Sequence, residues 1–126
     1  MIQFQKDPNL KHLCLLMSGL SIDDASKKDS DYFLNMPELD SLSENEINQI
    51  LADAAYYNYI KSEAYWIDDK HVLDVYGIGI NGFYLAHAMR DTTARTLIGI
   101  WLKNNPNSNI VEFSDYVKTI SPLNKK

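Results

Sequence analysis

The chain has 126 residues, 45% of them hydrophobic, and a net charge of −5. That is the length of one domain able to bury a core, and no apolar run is long enough to span a bilayer. Its one cysteine, Cys14, excludes an internal disulfide and cannot alone build a zinc site.

The N-terminus, MIQFQKDPNLK, lacks a basic flank followed by an apolar stretch, so it does not read as a signal peptide. A cytoplasmic location is the default expectation. Cys14 lies between Leu13 and Leu15 and is expected as a small buried apolar side chain. The charge is uneven. Residues 21 to 53 hold nine acidic side chains against Lys27 and Lys28, so the remainder is net positive.

A first helix is expected from Asn9 to Ser18. Leu10, Leu13, Cys14 and Met17 share one face, Asn9 can cap it, and Gly19 can end it. Residues 21 to 42 are polar and punctuated by Pro37. Within them Asp31 to Met36 reads as a short helix, with Tyr32, Phe33 and Met36 on one side. Ser43 and Glu46 form a capping box. Ile47, Ile50, Leu51, Ala54 and Tyr57 then recur at helical spacing, and Asn58 tolerates the left-handed turn that ends a helix.

Tyr59 to Ile67 and His71 to Tyr76 are rich in aromatic and β-branched residues, with Asp68-Asp69-Lys70 as the turn between two strands. Asn81 to Arg90 reads as a helix. Asp91 or Thr92 can cap another, through Lys103. NNPNSN, residues 104 to 109, is a loop. Ile110 to Ile120 suits a closing helix, with Ser114 and Asp115 as an internal start, and the lysines at 125 and 126 a frayed tail. Helix, two-stranded ribbon and helix form the signature half of a winged-helix domain. The expected fold is therefore α+β, mainly helical. It is one winged-helix-like domain over residues 1 to 126, with a core at 9 to 90 and a helical extension at 91 to 126.

The helix after Thr92 is apolar nearly all round, which implies burial or a partner. Leu97, Ile98 and Trp101 are the expected homodimer interface. The competing expectation is that Ile110 to Ile120 folds back over them.

The pattern over residues 9 to 90 resembles the small YjcQ-like winged-helix proteins of bacteria and phages. Ile78-Gly79-Ile80-Asn81-Gly82, followed by Phe83-Tyr84-Leu85, corresponds to the family's Ile-Thr-x-x-Gly segment leading into a helix. Gly79 stands where the family has a capping threonine. The resemblance implies a fold and nucleic-acid regulation, and no catalytic residues.

Gly77, Gly79 and Gly82 also spell G-x-G-x-x-G after an apolar strand, the local grammar of a dinucleotide-binding loop. The acidic residue that should follow roughly 20 residues later is missing, since that region reads IWLKNNPN. A nucleotide remains the remote alternative, and no cofactor is expected. His12, His71 and His87 show no metal-ligand spacing, and no serine sits in a nucleophile elbow, so the chain reads as non-enzymatic.

The Ser43 helix is the candidate DNA reader. Its outward side is expected to carry Asn45, Asn48, Gln49, Asp53 and Tyr56, with Lys70 on the ribbon. Asn and Gln can pair with adenine edges. Yet that face carries no cation, and Glu44 and Asp53 would repel phosphate. Two functions therefore stand. One is a winged-helix regulator that binds DNA, the usual use of the fold. The other is an acidic module that binds a basic protein partner or mimics DNA.

Overall fold

The computed structural model describes residues 7–23, 26–67 and 70–124, without the side chains of residues 30, 64–67, 70–73 and 124. Six α-helices and one hairpin follow in the order α1 (Leu10–Gly19), α2 (Ser30–Leu34), α3 (Glu44–Tyr56), β1 (Ile60–Ile67), β2 (Lys70–Ile78), α4 (Ile80–Met89), α5 (Thr92–Asn104) and α6 (Ile110–Ile120). A 3₁₀ turn, Pro37–Leu39, joins α2 to α3.

Local chemistry sets most boundaries. The Asn9 side chain accepts from the His12 amide and starts α1. Asp29 caps α2, which therefore begins before the expected Asp31. Ser43 and Glu46 bond reciprocally at the start of α3. These bonds from Ser43 hold the Glu46 carboxyl below its ordinary pKa. Asn109 and Glu112 make a second capping box, so α6 starts at Ile110 rather than at Ser114.

Asn58 has a φ of 64° and turns the chain out of α3 into β1. The two strands are antiparallel, with Ile67 opposite Lys70. Asp68 and Asp69, the expected turn, lie outside the described residues. Lys61 faces Gly77 while Ser62 faces Val75, so Tyr76 is an extra residue in β2. This bulge matters for the core. Residues three apart on a strand normally point to opposite faces. Here Val75 and Ile78 are both buried.

Sequence reading missed a third piece of sheet. The amides and carbonyls of Lys28 and Val75 bond reciprocally at 2.7 and 2.9 Å, so residue 28 bridges to β2 on the edge away from β1. Helix, bridging residue, two helices and hairpin together make an α+β, mainly helical, winged-helix-like layout.

One core runs through α1, α3, the hairpin and the C-terminal helices. It contains Leu13, Leu16, Met17, Phe33, Leu51, Tyr59, Leu85, Ile98 and Phe113. α4 packs against α1 on one side and α5 and α6 on another. That double coverage explains a helix apolar on nearly every side. Cys14 is buried as expected, and burial pushes its thiol up to about 12, so thiolate chemistry is disfavoured there.

Arg90 joins the end of α4 to the end of α1. Its guanidinium donates to the Met17 carbonyl at 3.0 Å, to Leu20, and to Ala86 at 2.9 Å. α1 has no basic residue in its last turn, so Arg90 supplies both the missing donors and the positive charge that a helix C-terminus favours. Arg90→Met should cost about 1–2 kcal/mol, read as a lower urea midpoint at unchanged slope.

Candidate interaction surface

The sequence placed five residues on the outward side of α3, and the structure separates them. Asn45 is exposed, Asn48 and Gln49 are half-buried, and Tyr56 is 58% exposed. Asp53 is a correction. It is only 2% exposed, and it accepts a hydrogen bond from Gln49 Nε2 at 3.1 Å. α3 packs against α1, α2 and β1 together, so its buried arc is wider than one apolar stripe. Asp53 therefore cannot act as a surface charge. The side chain of Lys70 lies outside the described residues.

Apart from Tyr56 at its end, the accessible part of α3 is thus its first half. It carries Glu44, Asn45, Glu46, Asn48 and Gln49, and no cation. Asp31, Asp40 and Glu44 are exposed on this side of the molecule, with Asp29 exposed at the cap of α2. Three nearby basic groups are engaged within the chain. Lys27 pairs with Glu63 at 3.5 Å. Lys28 is buried, donates from Nζ to the Ser26 carbonyl at 2.9 Å, and lies 5.6 Å from the centre of the Tyr32 ring. His12 Nε2 lies 3.8 Å from a Glu46 carboxylate oxygen.

Two clefts open on this side. One, of about 380 Å³, lies between α1 and α3 and is lined by Asn9, His12, Asn45, Glu46, Gln49, Ile50 and Asp53. The other, of about 420 Å³, runs along α2 and the 3₁₀ turn and includes Tyr32, Met36, Pro37 and Glu38.

The glycine motif has a packing role. A Cβ on Gly79 would overlap the Asn58 carbonyl, and one on Gly82 would overlap the Tyr59 carbonyl. The Asn81 amide donates to Asn58 O at 3.1 Å. The chain at 58 and 59 therefore occupies the start of α4, where a dinucleotide's pyrophosphate would have to lie. The strand before the motif is antiparallel to its only neighbouring strand among the described residues. No described glycine has positive φ, so close approach of backbones, rather than a sharp turn, is what demands glycine here.

Two of the three residues expected at a dimer face, Ile98 and Trp101, are covered within the chain. Ile98 is 2% exposed, and the Trp101 ring stacks on Tyr116 with centroids 5.2 Å apart and lies 5.8 Å from Phe113. α6 folds back over α5, as the competing expectation held. Leu97 and Ile100 are the large apolar residues of α5 that stay exposed.

Among the described residues no group of three or more His, Cys, Asp or Glu side chains could hold a metal ion. No helix of the described residues is long and apolar enough to cross a membrane. No protein-family model matches the chain, and neither does any curated protein or solved structure.

Proposed function

We propose that this chain is a protein-interaction module on a winged-helix-like scaffold, and that its acidic α2–α3 side meets a basic partner. One observation carries this reading. The helix that a winged helix would lay in the major groove exposes Glu44 and Glu46 and no cation, while Lys27, Lys28 and Arg90 are engaged within the chain. DNA affinity rests largely on neutralising phosphates, and this surface would add repulsion instead. A basic segment meets the opposite situation, because complementary charge steers its approach and speeds association.

DNA binding is the second reading. The winged-helix-like layout favours it, as do Asn45, Asn48 and Gln49, which keep accessible amides on the first half of α3. The resemblance to YjcQ-like proteins leans the same way.

Titration with an oligolysine peptide tests the interaction reading. The peptide should bind at low salt, weaken as salt rises, and lose about tenfold in affinity to the double variant Asp40→Lys with Glu44→Lys. Equal binding by that variant would count against it.

A further inference from the structure

We infer that the cleft along α2 is the seat of one long basic side chain, a lysine or arginine, from a partner protein's basic segment. This inference rests on the interaction reading and narrows it to a place. The cleft of about 420 Å³ is lined by Gly19, Asp29, Asp31, Tyr32, Asn35, Met36, Pro37 and Glu38. That volume falls at the small end of ligand pockets, enough for a side chain and too little for a helix.

Its chemistry divides in the way such a side chain does. Tyr32, Met36 and Pro37 supply an apolar wall for an alkyl stem. Asp31 and Glu38 supply carboxylates for the charged head, and Asn35 adds an amide. Lysine and arginine bury their stems on apolar surface and keep the cation at a polar edge. Asp29 contributes less, because its side chain already caps α2 by accepting from the Tyr32 amide.

The architecture holds these groups in place. The Tyr32 ring meets Phe33 edge-on at 5.2 Å, and Phe33 is wholly buried. Met36 is buried against Gly19, where a Cβ would collide with the methionine sulfur, so glycine at the end of α1 lets the cleft floor form. The Lys28 ammonium already lies 5.6 Å from the ring centre, so the ring is left to pack the stem and the carboxylates to hold the charged head. Tyr32 is 41% exposed, so part of its ring remains accessible beside the carboxylates. The first cleft, between α1 and α3, has no Tyr, Phe or Trp ring and no proline in its wall. Its lining is amides, carboxylates and an imidazole around Ile50.

The test is titration of the isotope-labelled full chain with an oligolysine peptide, followed by amide shifts. The expected result is that the largest shifts fall at residues 31 to 38. Glu38→Lys should then weaken binding by about tenfold and Tyr32→Ala by about fivefold. Glu44→Lys, on α3, should weaken it by about twofold, through long-range charge alone. Thermal melting of each variant confirms that it is folded. Peptide binding with its largest shifts on α3, unaffected by Tyr32→Ala, would overturn the cleft and leave the interaction reading standing. No binding at low salt would overturn both.

Discussion

Gly82→Ala is expected to lower the unfolding free energy by about 3 kcal/mol or more, and the melting temperature by about 10 °C. The added methyl has nowhere to go. It would overlap the Tyr59 carbonyl oxygen and press on Ile78 Cγ2. Tyr59 cannot retreat easily. Its amide donates to Ala54 O at 2.8 Å, its carbonyl accepts from the Gly79 amide at 3.0 Å, and its buried hydroxyl is bonded to Ser114 on α6. Burial pushes that hydroxyl up to about 12, so it stays a neutral partner across the usable pH range. Gly99 is the control. It lies on the exposed side of α5, and a Cβ there would meet nothing within 4 Å. Gly99→Ala should therefore stabilise, by up to about 1 kcal/mol, because alanine loses less entropy in a helix. Chemical denaturation of both variants checks the opposite signs.

Phe113→Ala should cost about 3–5 kcal/mol, the usual range for emptying a buried aromatic site. Phe113 is wholly buried and lies beside Trp101, which stacks on Tyr116. The ring thus closes α6 over α5. Two polar ties hold the same region to the rest of the chain: Tyr59 with Ser114, and Ser121 Oγ donating to the Tyr84 carbonyl at 2.8 Å. The C-terminal helices are therefore part of the core rather than an appendage. Unfolding should remain one cooperative transition in the variant, by fluorescence and circular dichroism alike. Two separated transitions would mean that residues 91 to 124 fold as an independent unit.

These residues also mark what the sequence could and could not reveal. Ser43 with Glu46, Asn9 and Asn58 act through neighbours a few positions away, so local pattern was enough to find them. The hairpin and six helices followed from the same kind of signal. Residues whose role depends on distant chain were misjudged or missed. Asp53 lies three positions from Ile50, on the flank of the α3 stripe. Only the packing of α1, α2 and β1 together decides that it is buried. Arg90 ties down the end of α1 through carbonyls 70 and 73 residues away in sequence, which no local pattern announces. Lys28, counted only in the charge balance, bridges to β2. Gly79 and Gly82 of the G-x-G-x-x-G pattern carried a true signal of close backbone approach. What approaches is the chain itself, at Asn58 and Tyr59. For α5 the periodicity showed that two faces needed cover, and only the fold shows α6 providing it.

The candidate surface was half legible. The acidic run from residue 21 to 53 was plain in the composition, as was the lack of a cation on the Ser43 helix. The cleft at Tyr32 was not, because it depends on Met36 settling against Gly19 across a turn of the chain.

Titration of the full chain with a mixed-sequence DNA duplex, at low and at physiological salt, tests the central claim most directly. The account predicts no binding at either concentration, since the accessible half of α3 offers phosphates only carboxylates and amides. Measurable affinity that falls steeply with added salt and is reduced by Asn48→Ala or Gln49→Ala would contradict it. α3 would then be a DNA reader after all.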